Sequence, residues 1–332
     1  FLDGHGHLYS TGFTSQVANI LPPPDGAGAD FASIVSATKA WMETADGQYV
    51  IDKYKWVIAN GYDDSQLAEK AHPTAEILDQ ITTEHPVLII HQSGHLASVN
   101  TKGLESIGLT KDSVAPKGGV IRRYPDGRPN GVLEEMAFFQ SLLPLLSSSD
   151  ADILLRNVEY GQREYARQGY TTAQDGRTTR DGSAAFALAS EQGRLLIDVV
   201  SYPDISWNEA AANSQFHRKD KAYTNHYRVG GVKITLDGSP QGKTAWLTHP
   251  YHVPPTGRAE DYSGYNTMPD DAAIKLVSKA FEKQWQILSH ANGDAAIDQY
   301  LKTIEAAREA HDYPDHRSVL IHGQTLRKDQ IP

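Results

Sequence analysis

Cysteine is absent from the 332-residue chain. Its absence excludes disulfide bonds, thiolate metal ligands and a cysteine nucleophile at once. It leaves the cellular compartment open, because cytoplasmic and periplasmic proteins both tolerate a cysteine-free sequence.

The sequence also lacks a long apolar run and an excess of positive charge. Mean hydropathy is -0.47, and no stretch approaches the roughly 18 apolar residues of a membrane span. The net charge is -10 and no run of Lys or Arg is present, whereas nucleic-acid binding requires a basic patch. We therefore expect a small-molecule substrate and neither nucleic acid nor membrane as a partner. Homo-oligomer formation stays open.

Composition is otherwise that of a soluble globular protein, with 39% hydrophobic and 22% charged residues. The length suits one large or two ordinary domains. Both ends look internal, because Phe1-Leu2-Asp3-Gly4-His5 is typical of a strand and Asp329-Gln330-Ile331-Pro332 of a loop. We therefore expect further chain upstream. A cytoplasmic location is favoured, and the expected upstream segment keeps a periplasmic or secreted one open.

The most informative stretch is Leu2-Asp3-Gly4-His5-Gly6-His7-Leu8. Alternate residues of a strand share a face, so His5 and His7 can point the same way. Two neutral imidazoles at a strand end suit Zn²⁺ or a similar ion. The alternative is a polar turn with two solvated histidines.

From about residue 150, strands and helices alternate at roughly 30-residue spacing, as in parallel β/α units. With the first strand at His5, this series gives six strands, whereas a closed (β/α)8 TIM-type barrel needs eight. We therefore predict an α/β protein with such a barrel, truncated after strand six and carrying a large insertion after strand one. The predicted parts are 1–13 (first strand and metal motif), 14–150 (inserted α/β subdomain) and 151–332 (strands two to six). Within the later part, the pattern predicts strands at 170–174, 195–202, 229–236, 286–290 and 318–322.

The insertion is predicted to contain both helices and strands. Spacing of apolar residues indicates helices at 31–44, 73–81 and 101–107. A continuous apolar run at 86–91 is typical of a buried strand. The apolar stretch 132–146 predicts a further helix.

Groups suited to metal binding end several predicted strands. His5 and His7 end the first, Lys233 lies in the fourth, and His290 and His322 end the fifth and sixth. The carboxyl ends of barrel strands form the active-site face, so these groups should converge. One such histidine is usually a satisfied polar residue, but four at strand ends indicate shared metal binding.

Over nearly its whole length, the sequence resembles the amidohydrolase superfamily, in the branch that includes N-substituted formamide deformylases. The resemblance rests on motifs in a fixed order: Asp3-Gly4-His5-Gly6-His7-Leu8, Gly61-Tyr62-Asp63, Ser93-Gly94-His95 with Val99-Asn100, Gly131-Val132-Leu133-Glu134-Glu135, Val232-Lys233-Ile234 with Leu236-Asp237-Gly238-Ser239, Thr244-Ala245 with Pro250-Tyr251, Ser289-His290-Ala291-Asn292-Gly293-Asp294-Ala295-Ala296 and Ile321-His322-Gly323-Gln324.

The resemblance implies a divalent metal, Zn²⁺ by ligand preference, with one or two ions per chain. It makes His5 and His7 ligands of the more buried ion, and it makes His290 and His322 ligands of a second ion. Lys233 would be a ligand as a carbamate formed with CO₂, because a protonated lysine cannot ligate. The alternative for Lys233 is a strand-edge lysine with its amine in water.

The resemblance also implies roles away from the metal. His95 would contact the substrate and assist catalysis, whereas the alternative is a loop histidine bonded to the backbone. Glu135 matches an acidic position of the family, and the alternative is a carboxylate on the surface of a helix. Asp237 would lie near Lys233 and contact the substrate. One departure is Ile321, where the family often has Glu, which predicts a looser orientation of His322.

These residues favour a metal-dependent hydrolase that cleaves a C–N bond of an amide, formamide or cyclic amide by metal-bound hydroxide. The family's general base, an aspartate of an eighth strand, has no counterpart among the predicted strands. A binding or regulatory protein on a degenerate scaffold of this family is therefore the alternative. A metal-dependent isomerase or lyase on the same barrel is a third.

Overall fold

A computed structural model describes residues 1–117, 119–255 and 258–331, apart from the side chain of Leu143. The chain forms two compact units. The first unit comprises residues 1–11 and 154–332, and the second comprises residues 12–153. Each has its own hydrophobic core.

The second unit is built on a mixed six-stranded sheet in the order β1-β2-β3-β4-β6-β5. Strands β1, β2 and β3 are parallel, and β3, β4, β6 and β5 pair antiparallel. Its elements run, in chain order, as α1 (Leu8–Thr14), β1 (Ala18–Asn19), α2 (Phe31–Met42), α3 (Ala45–Tyr54), β2 (Val57–Tyr62), α4 (Ala75–Leu78), β3 (Val87–His91), β4 (Leu96–Val99), α5 (Thr101–Ser106), β5 (Gly119–Arg123), β6 (Pro129–Glu135), α6 (Met136–Ser141) and α7 (Leu143–Leu146).

Local sequence explains where several of these elements begin. Asp30 caps α2, because its carboxylate accepts from the Ser33 backbone N–H at 2.7 Å and Ser33 Oγ accepts in return from Asp30 N–H. Such a capping box stabilises a helix by about 1 kcal/mol. The predicted helices at 31–44 and 101–107 are confirmed as α2 and α5, and the predicted buried strand at 86–91 is confirmed as β3.

The predicted helix at 132–146 is wrong in its first part. Residues up to Glu135 continue β6, which pairs with β4 and β5, and the helices α6 and α7 begin only afterwards. Val132 and Leu133 are buried in the sheet. A short apolar run does not itself distinguish a buried strand from a helix, and here the neighbouring strands decide.

The first unit contains two three-stranded parallel sheets, β7-β8-β9 and β10-β11-β12. A parallel bridge between Asp204 and Lys233 joins β8 to β10. Its elements are α8 (Ala151–Arg167), β7 (Thr172–Thr178), α9 (Arg180–Glu191), β8 (Asp198–Pro203), α10 (Glu209–Ala212), β9 (Tyr227–Val229), β10 (Gly231–Thr235), α11 (Asp270–Glu282), β11 (Gln286–Ala291), α12 (Asp294–Ala310), β12 (Val319–His322) and a 3-10 turn, Lys328–Gln330.

The N-terminal segment lies alongside β7 but forms no regular strand. Leu2 makes a parallel bridge to Thr172, and His7 makes an antiparallel bridge to Asp175. The expected strand is thus reduced to isolated bridges, and α1 starts directly after His7.

The faces of the first unit's strands are distinguished by what they contact. Val232, Ile234, Ile287 and Ala291 pack with α11 and α12 in one hydrophobic cluster. Leu288 and Ile321 belong to a separate cluster with Val200 and Tyr202 of β8. The helices therefore cover one face of β10 and β11, and the opposite face is available for a site. None of the helices in the described ranges combines the length and hydropathy that a membrane crossing requires.

Candidate metal centre

Lys233 lies on the strand face that the helices do not cover. Its neighbours Val232 and Ile234 pack against α11 and α12, so the alternation of β10 turns Lys233 to the other side. The residue is 1% exposed, and its Nζ lies 3.3 Å from His5 Nε2. Burial, followed by the nearby Arg177, lowers the pKa of Lys233 to about 7. The amine is thus buried, in contrast to the solvated alternative.

His5 is held in one tautomer by a neighbour on β7. Its Nδ1 lies 2.7 Å from Gln174 Oε1, which only accepts, so Nδ1 carries the proton and Nε2 keeps its lone pair. Asp3 fixes this pairing by accepting from the backbone N–H groups of His5 and Gln174. Gly176 leaves space for the ring, because a Cβ there would lie 2.2 Å from His5 Cε1.

His290 is held in the opposite tautomer to His5. It follows Leu288 on the uncovered face of β11, and its Nε2 donates to Gly238 O at 2.9 Å. Nδ1 of His290 therefore keeps its lone pair. This arrangement resembles the way metal-binding histidines use one ring nitrogen as ligand and the other as a hydrogen-bond donor.

His322 ends β12 with a φ of +75°, in the left-handed region. Leu320, two residues earlier, packs against the helix-covered cluster, so a regular strand would turn His322 to the same side. Instead the His322 ring lies 4.6 Å from the His290 ring, measured between centroids. Backbone strain of this kind accumulates at functional sites. The strained backbone thus brings His322 to His290.

Ile321 is a core residue, in keeping with the departure noted from the sequence. It is 7% exposed and packs with Val200, Tyr202 and Leu288. An apolar contact therefore occupies the position at which an acidic neighbour of His322 was expected.

The four imidazoles form one cluster with Lys233. Ring centroids are 5.2 Å apart for His5 and His7, and 5.6 Å apart for His5 and His322. Desolvation is the largest cause that lowers the pKa of His5, His7 and His322, the last to about 4. These rings are therefore neutral at pH 7, which is the form that binds metal ions.

Asp237 is buried beside this cluster and is already engaged. Its carboxylate accepts from the backbone N–H groups of Trp246, Asn292 and Gly293. Its Oδ1 also lies 3.4 Å from His290 Nε2. The carboxylate thus ties the ends of β10 and β11 together next to the histidines.

His95 and Glu135 meet in the second unit. His95 Nδ1 lies 3.2 Å from Glu135 Oε2, and both side chains are partly exposed. The helix-surface alternative for Glu135 is wrong, because the residue ends β6 with a φ of +48°. The pairing of an imidazole with a carboxylate gives a group able to bind and exchange a proton.

A separate Asp-Asp-His group lies in the second unit. Among the described residues, only Asp63, Asp64 and His91 bring three His, Asp or Glu ligand atoms within 4.8 Å of one another. Both Asp63 oxygens already accept hydrogen bonds from Ser65 and Gln66. His91 Nδ1 accepts from Ser93 N–H, so its Nε2 donates to Asp64 at 3.1 Å.

The donors around Lys233 fit a metal ion better by their chemistry, although they are more widely spaced. His5 and His290 each have a ring nitrogen with a lone pair, and the other nitrogen is fixed by a hydrogen bond. The histidines and Lys233 are therefore the residues that would hold an ion.

Sequence reasoning missed Gln174 and Gly176, which position His5. Gln174 ends a strand predicted from the sequence, and a polar residue at a strand end is a signal that could have indicated it. The requirement for Gly176 has no such signal, since it depends on a ring from a distant part of the chain.

Known proteins resemble this chain over most or all of its length. A model of the amidohydrolase family matches residues 1–332. The Bacillus subtilis protein YtcJ, named as an amidohydrolase, is 25% identical over all of this chain. The protein LONG AFTER FAR-RED 3 of Arabidopsis thaliana is 25% identical over 98% of the chain, and the N-substituted formamide deformylase of Arthrobacter pascens is 22% identical over 93%.

A solved structure shares the fold. The crystal structure of an uncharacterized metal-dependent hydrolase from Pyrococcus horikoshii OT3 superposes with a TM-score of 0.68 at 21% identity, covering 92% of this chain and 55% of that one. The chain spans 54% to 59% of the lengths of the three curated relatives. The family match over the whole chain shows that this protein belongs to the amidohydrolase family.

Proposed function

We propose that this protein is a metal-dependent hydrolase of a C–N bond in an amide, formamide or cyclic amide. The observation that carries the proposal is the convergence of four imidazoles on the buried Lys233 amine. The names of the amidohydrolase YtcJ and the formamide deformylase support the type of bond. The scaffold is proposed to be a (β/α)8 barrel, of which this chain supplies the N-terminal segment and five further strand positions, with β9 and β10 sharing one position.

His5, His7, Lys233, His290 and His322 would hold one or two divalent ions, with Zn²⁺ favoured by the nitrogen donors. A bound ion lowers the pKa of a water molecule and polarises a carbonyl oxygen. For Lys233 we propose a carbamate: the neutral amine attacks CO₂, an N–C bond forms, and one proton leaves. The low pKa of Lys233 favours the neutral amine that this reaction needs.

The remaining residues would position these groups and the substrate. Gln174 holds the His5 tautomer, and Asp237 fixes the loops beside His290. His95, paired with Glu135 in the second unit, is proposed to contact the substrate. We assign no general base within this chain.

Metal content tests the ligand assignment. We expect the purified protein to contain one or two equivalents of divalent metal and His5→Ala and His322→Ala to lose at least about 10-fold in affinity. Gln174→Leu should weaken binding by about 10-fold to 100-fold, because the His5 tautomer is no longer fixed. His226→Ala is the matched control, since His226 is exposed and paired with Asp198. Full metal content in both His variants would overturn the proposal.

Product analysis tests the reaction. Incubation with N-substituted formamides and cyclic amides should release formate or a ring-opened acid, and this activity should be lost in the two His variants. An isomer or an elimination product would instead indicate the isomerase or lyase alternative. Metal binding without turnover of any C–N substrate would favour a binding protein on this scaffold.

A further inference from the structure

A cavity of about 560 Å³ lies in the first unit at the starts of its strands. Gly230 precedes β10, Gln286 begins β11 and Arg317 precedes β12, and all three line the cavity. His290 and His322 stand at the opposite ends of β11 and β12. The cavity is therefore distinct from the proposed metal centre, and its size is that of a small-molecule site.

The lining of this basic cavity is strongly positive in a chain whose net charge is -10. One carboxylate, Asp315, faces six cationic side chains: Arg218, Lys219, Lys221, Arg228, Lys283 and Arg317. Arg218 pairs with Asp220 and Arg317 with Asp315. The other four cations form no salt bridge with any residue that the structure describes. Lys219, Lys221 and Lys283 are exposed, so solvent screens their charges, but together they make the cavity attractive to an anion.

Arg228 provides a second, independent observation. Its Nε is buried and has no hydrogen-bond acceptor within the described part of the chain. Its guanidinium is positioned over the Tyr223 ring, 5.2 Å from the centroid. A buried donor without an acceptor is destabilising, and native structures rarely keep one. Arg228 lines the cavity, so a ligand oxygen could reach this covered donor once a neighbouring side chain shifts.

We propose that the basic cavity binds a small molecule carrying a phosphate group. A phosphate offers several acceptor oxygens and close to two negative charges, which matches a guanidinium surrounded by exposed lysine ammonium groups. The net charge of -10 argues against a nucleic acid. This site does not depend on the proposed hydrolysis, and it can be tested without a substrate.

Isothermal titration calorimetry with inorganic phosphate and with phenyl phosphate tests the proposal at low ionic strength. We expect saturable binding that weakens as NaCl is added. Arg228→Gln should reduce affinity at least about 10-fold, and Lys283→Gln about 3-fold to 10-fold. Lys275→Gln is the matched control, because Lys275 is exposed on α11 and does not line the cavity.

His322→Ala separates this site from the metal centre. Binding retained in His322→Ala and reduced in the two cavity variants supports the proposal. Lys283 is exposed, so its variant decides the matter even if Arg228→Gln fails to fold. No saturable binding, equal binding by Lys283→Gln and the original protein, or loss of binding in His322→Ala would overturn it.

Discussion

At the scale of single residues, the proposed metal centre depends on which ring nitrogen each histidine leaves free. Gln174 leaves Nε2 of His5 free, and Gly238 O leaves Nδ1 of His290 free. The strained backbone of His322 adds a ring that a regular strand would have turned away. Each ligand is thus oriented by a specific contact or conformation.

Titration of His72 offers a test of residue-scale electrostatics in the second unit. Its side chain is 9% exposed, and burial lowers its pKa to about 4, although Asp64 opposes this. Between pH 6.5 and 4 the unfolded chain binds a proton that the folded chain does not, so the free energy of unfolding falls as the pH falls. His72→Gln should remove up to about 3 kcal/mol of this dependence.

Urea unfolding at several pH values between 7 and 4 measures the effect. His249→Gln serves as control, because His249 is exposed. If the His72→Gln protein and the original show the same pH dependence of unfolding, folding does not lower the pKa of His72.

The sequence predicts which side chains meet in the first unit better than how they are oriented. His5, His290 and His322 were expected there from their places at predicted strand ends, and Lys233 from its place in the fourth predicted strand. The tautomers and the left-handed φ of His322 could not be predicted, because they depend on partners such as Gly238 and Gln174 that are distant in sequence.

At the scale of elements, the β/α series of the first unit was predictable and the mixed sheet of the second was less so. The predicted strand at 286–290, for example, is found as β11, Gln286–Ala291. In contrast, the end of β6 overlaps the stretch 132–146 that predicted a helix, and its partners β4 and β5 decide in favour of a strand. The periodicity of apolar residues does not show which strands pair when they are far apart in sequence.

Gly131 in β6 tests this pairing. Its φ is +98°, and a Cβ there would lie 2.3 Å from Val99 O and 3.0 Å from Ala75 N. Gly131→Ala should therefore lower the free energy of unfolding by about 3 kcal/mol, through strain and displaced backbone together.

Gly127→Ala is the matched control for that substitution. Gly127 also has a positive φ, +89°, but a Cβ there would meet only the flexible Lys111 side chain. We expect Gly127→Ala to lower the free energy of unfolding by about 1 kcal/mol, because of the positive φ alone. Equal losses in the two variants, measured by urea unfolding, would contradict the close approach of β6 to β4.

At the scale of the whole molecule, all the proposed metal ligands come from one unit. The first unit contributes residues from its N-terminal segment and from three strands, whereas the Asp63, Asp64 and His91 group belongs to the second. Binding stabilises the folded segments that supply the ligands. The segments that bind added metal should therefore exchange their amide hydrogens more slowly than the rest of the chain.

Hydrogen–deuterium exchange with and without Zn²⁺ measures that location. We expect slower exchange in peptides that cover His5–His7 and β10 to β12, and no change in peptides that cover β2, β3 and the residues 63–66. Slower exchange confined to the latter would place the ion at the Asp-Asp-His group and would refute the ligand set that we propose.

The carboxylate of Asp237 has a consequence for how this scaffold can diversify. It clamps the exits of β10 and β11 through main-chain amides of Asn292 and Gly293, whatever side chains lie between. Trp246 and Thr248 of the following connection are tied to Asp237 and Asp294, whereas the described residues between 249 and 266 lie outside this clamp. Evolution is thus free to remodel that loop while the His290 ring, which we propose as a ligand, stays in place.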